Sequence, residues 1–99
     1  MEKKVYNLLH LARRAGKVIF GFDAVKRLCH QGKCRLLLCS SDLAEKTIKN
    51  LRELADAYNV KMIIFGSMAD FGREFKIKDT GIIAVSDADF AGGITRILG

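Results

Sequence analysis

The sequence predicts an α/β fold, a three-layer α/β/α sandwich with one sheet between two layers of helices. Three observations predict it. Helical and extended patterns alternate along the whole chain in the order αβαβαβαβα, as a sheet covered by helices requires. The segments "CRLLLCS" (34–40) and "VKMIIFG" (60–66) are continuous apolar runs, as expected for strands buried on both faces. The chain has 99 residues, no proline and no serine- or glycine-rich linker, so residues 1–99 are expected to form a single domain around one core.

The elements follow in order. Val5, Leu8, Leu9, Leu11 and Ala12 recur at the spacing of one helical face over residues 2–15. Gly16 is placed to end that helix. Val18-Ile19-Phe20 reads as a short strand. Residues 22–31 read as a second helix, with Phe22, Val25, Leu28 and Cys29 turned inward and Gly32 closing it. After the strand at 34–40, Asp42 with Glu45 three residues on resembles a capping box. It predicts a helix to about Tyr58, with Leu43, Ile48, Leu51, Leu54, Ala55 and Tyr58 inward. Ser67 and Asp70 follow the third strand as caps of a short helix through Phe75. "GIIAVSD" (81–87) is the fourth strand, and residues 89–98 form a last helix weakened by Gly92 and Gly93.

Composition excludes several classes. A hydrophobic fraction of 49% with 28% charged residues is that of a globular domain, not a disordered one. No apolar run reaches the roughly 18 residues of a membrane span. The opening "MEKKVYNLLH" is charged and amphipathic, unlike a signal peptide, so a cytoplasmic protein with no membrane partner is expected. Cys29, Cys34 and Cys39 are odd in number and form no C-x-x-C pair. With His30 they lack the spacing of the common zinc fingers, so they read as buried apolar residues and no metal or cofactor is expected.

Charge is distributed unevenly. The formal net charge is +6, yet residues 1–36 carry nine Lys or Arg against two acids, and residues 37–99 carry eight against nine. The positive excess therefore sits in the first third of the chain, which predicts a face for a polyanion.

The motifs that suggest catalysis fail on chemistry. G-K-V-I-F-G (16–21) has the glycines of a phosphate loop. A P-loop, however, needs Lys and Ser/Thr directly after its second glycine, and Phe22 and Asp23 stand there. "DFG" (70–72) has the letters of the kinase magnesium motif without H-R-D before it. Ser40, Ser41, Ser67 and Ser86 all adjoin helix starts, where capping explains them. His10 and His30 have no evident catalytic partner. Asp87 and Asp89 suit turn and N-cap roles better than a metal. No enzyme is expected. What remains is the helix opened by Gly21, whose free N–H groups and positive end suit a phosphate, with Lys26 and Arg27 in its next turn and Lys17, Lys33 and Arg35 flanking it.

Four stretches, "LLHLARRAGKVIFG" (8–21), "AVKRLCHQGKCRLLLCSSD" (24–42), "NVKMIIFGSMADFGREF" (59–75) and "GIIAVSDADFAGGI" (81–94), together resemble the small kink-turn RNA-binding ribosomal protein superfamily of archaeal and eukaryotic large subunits. The chain looks most like its bacterial, YlxQ-like branch, and the resemblance spans essentially all of it. It implies a four-stranded mixed sheet and a monomeric, non-enzymatic ribonucleoprotein component. The implied partners are structured, ribosomal RNA and ribosomal or translation-factor proteins.

The resemblance also implies an RNA site of two loops. In the first, the family carries a glycine, a small residue, Asn, Glu, two further residues and Lys. Gly21 matches the glycine, and Phe22, Asp23, Ala24 and Arg27 stand at the small residue, Asn, Glu and Lys. The second loop follows the last strand at Val85, Ser86 and Asp87. Asp23 lacks the amide donor of Asn, and Ala24 cannot accept a hydrogen bond from guanine. Each lost base contact costs about 1–3 kcal/mol of discrimination. Phosphate binding through Gly21, Lys26 and Arg27 is thus expected with weakened kink-turn reading. The alternative is a protein-interaction module that keeps the fold without specific RNA recognition.

Overall fold

Five helices and four strands alternate in the computed structural model, which describes residues 2–78 and 80–99. They are α1 (Glu2–Arg14), β1 (Val18–Phe20), α2 (Phe22–His30), β2 (Leu36–Cys39), α3 (Glu45–Ala57), β3 (Met62–Ile64), α4 (Met68–Phe75), β4 (Ile82–Val85) and α5 (Ala88–Leu98). The strands form one mixed sheet in the order β1-β4-β2-β3. Only β2 and β3 are parallel; β4 runs antiparallel to both β1 and β2. No helix among the described residues is long and apolar enough to cross a membrane.

Side chains of β2 and β4 alternate between two cores, as the period of two in a strand requires. Leu36, Leu38, Ile83 and Val85 meet Val5, Leu9, Phe71, Phe75 and Ile94 from α1, α4 and α5. Leu37, Cys39, Ile82 and Ala84 meet Val25, Leu28, Leu51 and Ala55 from α2 and α3. Both faces of the central strands are therefore covered, which is why their sequences read as unbroken apolar runs. Cys29, Cys34 and Cys39 are free and buried. Burial pushes all three thiols up, that of Cys34 to about 12, so they stay protonated and inert.

Four expectations need correction. β3 is an edge strand, so Ile64 is exposed instead of buried. Leu11 and Tyr58 face solvent as well, at the margins of their apolar stripes; the Tyr58 ring packs at a tilt against His30. The helix expected from Asp42 begins at Glu45 behind Ala44, which offers no side-chain cap. Asp42 instead accepts a hydrogen bond from the Met68 amide at 3.1 Å, and so steadies the start of α4 across the loop. The two loops of the expected site also stand apart, because β4 runs antiparallel to its neighbours.

Candidate nucleic-acid interface

Because β4 is antiparallel to its neighbours, the sheet has two unlike ends. At one end β1 and β2 finish and β4 begins. The Gly21 amide donates to the Ile82 carbonyl at 3.1 Å, and the Ser40 amide to the Gly81 carbonyl at 2.7 Å. This is the glycine end. At the other end β1 and β2 begin and β4 finishes. There the Ser86 amide donates to the Lys17 carbonyl at 2.9 Å, and the Arg35 amide to the Val85 carbonyl at 2.8 Å. This is the lysine end.

The turn into α2 lies at the glycine end. Gly21 has φ 92° and ψ 153°, a region that only glycine occupies without strain. It turns the chain from β1 directly into α2. No side chain caps α2, so the N–H groups of its first turn, with the positive end of the helix, remain available. Phe22 and Lys26 stand four residues apart on one helix face, and Asp23 and Arg27 on the next. Asp23, Lys26 and Arg27 are exposed, and Ala24 is half-buried.

The segment between α4 and β4 lies against this turn. Lys76 ends α4 in a left-handed conformation at φ 57°. Arg13 of α1 holds that corner in place: one guanidinium nitrogen donates to the Phe75 carbonyl at 2.6 Å, and the group lies 5.2 Å from the centre of the Phe20 ring. Phe75 is itself buried against Tyr6 and Phe71. Gly81 follows, packed so closely that a Cβ there would collide with Ser40 Oγ. A shallow depression of about 440 Å³ opens between the two segments. Phe22, Leu43 and Ile77 give it apolar walls; Gly21, Lys78 and Thr80 give it polar ones.

The expected residues thus divide. Gly21 and Phe22 line the depression, with Asp23, Ala24, Lys26 and Arg27 on the helix above it. Lys17, Lys33, Val85, Ser86 and Asp87 do not join them. Val85 is fully buried and pairs with Val18 at the start of β1. Asp87 Oδ1 accepts the Asp89 and Phe90 amides at 2.9 and 3.0 Å, so its carboxylate caps α5. The loop after β4 cannot form the second wall of the Gly21 site, because an antiparallel strand carries its exit to the opposite end of the sheet. The second wall is the loop before β4. Ile77, Lys78 and Thr80 escaped the reading of the sequence, although Lys-x-Lys before a glycine-led strand was visible there. Among the described residues no three His, Cys, Asp or Glu side chains converge to hold a metal.

Comparison with known proteins gives one consistent picture. The model of the Ribosomal protein L7Ae/L30e/S12e/Gadd45 family matches residues 3–91. A Bacillus subtilis (strain 168) protein described as RNA-binding protein YlxQ is 30% identical over 93 residues, covering 94% of this chain and 93% of that one. A solved structure from Bacillus halodurans C, described as a protein with unknown function, superposes with a TM-score of 0.89 at 27% identity and covers 96% of each chain.

Proposed function

Since the chain belongs to the L7Ae/L30e/S12e/Gadd45 family of ribosomal proteins, we propose that it is a non-enzymatic RNA-binding protein of the ribosome or of translation that holds structured RNA at its glycine end. One observation carries the reading: the uncapped start of α2 and the Ile77–Lys78 segment face each other across one depression. The two sides supply complementary chemistry. Backbone amides of the α2 first turn receive a phosphate, and Lys26, Lys76 and Lys78 neutralise its neighbours. Phe22 and Ile77 offer apolar surface to an unstacked base or ribose. RNA with an internal loop or kink fits such a site better than a plain duplex, whose bases are not splayed out. The name of the Bacillus subtilis relative supports the same reading.

Asp23 limits it. Its carboxylate stands in the first turn of α2, where a phosphate would approach, and it can accept but not donate hydrogen bonds. Phosphate contacts position the protein, whereas base contacts specify its target. The protein is therefore a holder of structured RNA with modest base discrimination.

The test is a titration of a kink-turn RNA and a plain duplex of equal length at two salt concentrations. The expected result is binding that weakens steeply with salt, with a small preference for the kink-turn. Phosphate-driven binding is strongest at low salt, so absence of binding to either RNA at about 50 mM overturns the reading. In a parallel experiment, Lys26→Glu with Arg27→Glu removes kink-turn RNA binding but leaves the melting temperature unchanged.

A further inference from the structure

The lysine end gathers a second group of cations that the glycine end does not use. Through the hydrogen bonds of Ser86 and Arg35, Lys17, Ser86 and Arg35 form a row across β1, β4 and β2. With about 4.8 Å between neighbouring strands, the backbones of Lys17 and Arg35 stand about 10 Å apart. Both residues are exposed, as is Lys33 in the turn from α2 to β2.

The same end carries an aromatic pair. His30 closes α2 and Tyr58 follows α3, with ring centroids 5.4 Å apart. Tyr58 is 42% exposed and lies outside both cores. Asp56, Asp87 and Asp89 lie near this end, and Lys61 Nζ donates to the Gly99 carbonyl at 3.4 Å beside the start of β3. Asp87 is occupied in capping α5, and among the described residues neither of the others pairs with these cations. Exposed rings beside unpaired cations are what single-stranded nucleic acid requires: the charges meet phosphates, and unpaired bases stack on the rings.

We propose that the lysine end is a second RNA-binding face, which takes a single-stranded segment, so that one molecule joins two stretches of RNA across the length of its sheet. The proposal rests on the reading of the protein as RNA-binding, but it uses different residues. It gives Lys17, Lys33 and Ser86 a role that the Gly21 site cannot.

The experiment uses a labelled, unstructured RNA of about 10 nucleotides, within the site size of single-strand binders, alongside the kink-turn RNA. Lys33→Glu with Arg35→Glu removes two phosphate contacts, which lowers the slope of log affinity against log salt for the short RNA by about 1.4. Tyr58→Ala weakens it about tenfold through lost stacking. Lys26→Glu with Lys78→Glu leaves the short RNA bound and releases the kink-turn RNA. Thermal melts establish that each variant is folded; Lys17→Gln with Lys33→Gln replaces the first pair if Arg35→Glu is not. Short-RNA binding that ignores Lys33, Arg35 and Tyr58, or that disappears with Lys26 and Lys78, overturns the second face. So does a wild type that binds only the kink-turn RNA, which assigns this end to another partner and leaves the glycine-end reading intact. A wild type that binds neither RNA overturns both.

Discussion

Both α2 and α5 begin where a strand gives way to a helix, and both carry an aspartate within a residue or two of the start. At α5 the aspartate is the cap itself: Asp87 accepts two first-turn amides and closes the helix end. At α2 the cap is Gly21, which has no side chain, and the aspartate falls two residues later, where it leaves the first-turn amides open. On the proposed reading, a helix start takes an anion when its cap is vacated and a neighbouring loop supplies charge, not because a glycine or an aspartate is nearby. The Lys76–Lys78 segment supplies that charge at α2. At α5 the cap has already taken what a phosphate would use.

The largest expected effect comes from restoring the family's base-reading pair at α2. Asp23→Asn with Ala24→Glu should raise preference for a kink-turn over a duplex by about 1–3 kcal/mol for each regained contact, measured as a ratio of dissociation constants. An unchanged ratio would mean that the α2 start only holds phosphates.

Next in size is Gly21→Ala. No atom lies within 4 Å of the new Cβ, yet a backbone conformation essentially confined to glycine should cost about 1–3 kcal/mol of stability in denaturant melts. RNA binding at the glycine end should fall with it. Asp87→Ala is the counterpart at α5 and should cost about 1 kcal/mol through the lost cap, with kink-turn binding untouched. A matching loss of RNA affinity in both variants would erase the distinction between the two helix starts.

The smallest effect, near zero at neutral pH, serves as a control away from both starts. Burial, aided by Asp70, pushes the Tyr6 hydroxyl up to about 12. A folded value above the unfolded one gives a contribution that is complete below pH 10 and lost as pH rises through 12. Denaturation at pH 11 should therefore show a loss on the order of 1 kcal/mol in the wild type relative to Tyr6→Phe. Equal alkaline losses in the two proteins would rule Tyr6 out as the cause.

Much of the fold was legible in the sequence because its central strands are buried on both faces and its helices carry apolar residues three and four apart. Leu36–Cys39 and Ile82–Val85 could scarcely be read as anything else. Ile64 misled, since an apolar residue in a strand does not reveal whether another strand lies beyond it. Tyr58 misled for a related reason: it extends the apolar stripe of α3 but stands past the last residue of the helix. At the candidate site, Gly21 was legible because a turn from strand to helix with positive φ needs glycine. Lys78 and Ile77 were not, because their place depends on the direction of β4. No residue within β4 records whether it runs with or against its neighbours; the hydrogen bonds of the assembled sheet decide it.

The direction and position of β4 also govern when the glycine end can form. β1 is hydrogen-bonded to no other strand than β4, and β4 is the last strand to be made. Until it slides between β1 and β2, the first strand has no ladder, and the Gly21 turn has no Ile82 carbonyl to hold it. These are contacts of large sequence separation, whose closure entropy must be met before they stabilise anything. A nascent chain that has emerged only as far as α4 therefore has Lys26 and Arg27 but neither Lys76 nor Lys78, and its glycine end is not assembled. The glycine end is complete only when β4 becomes the sheet's inner strand.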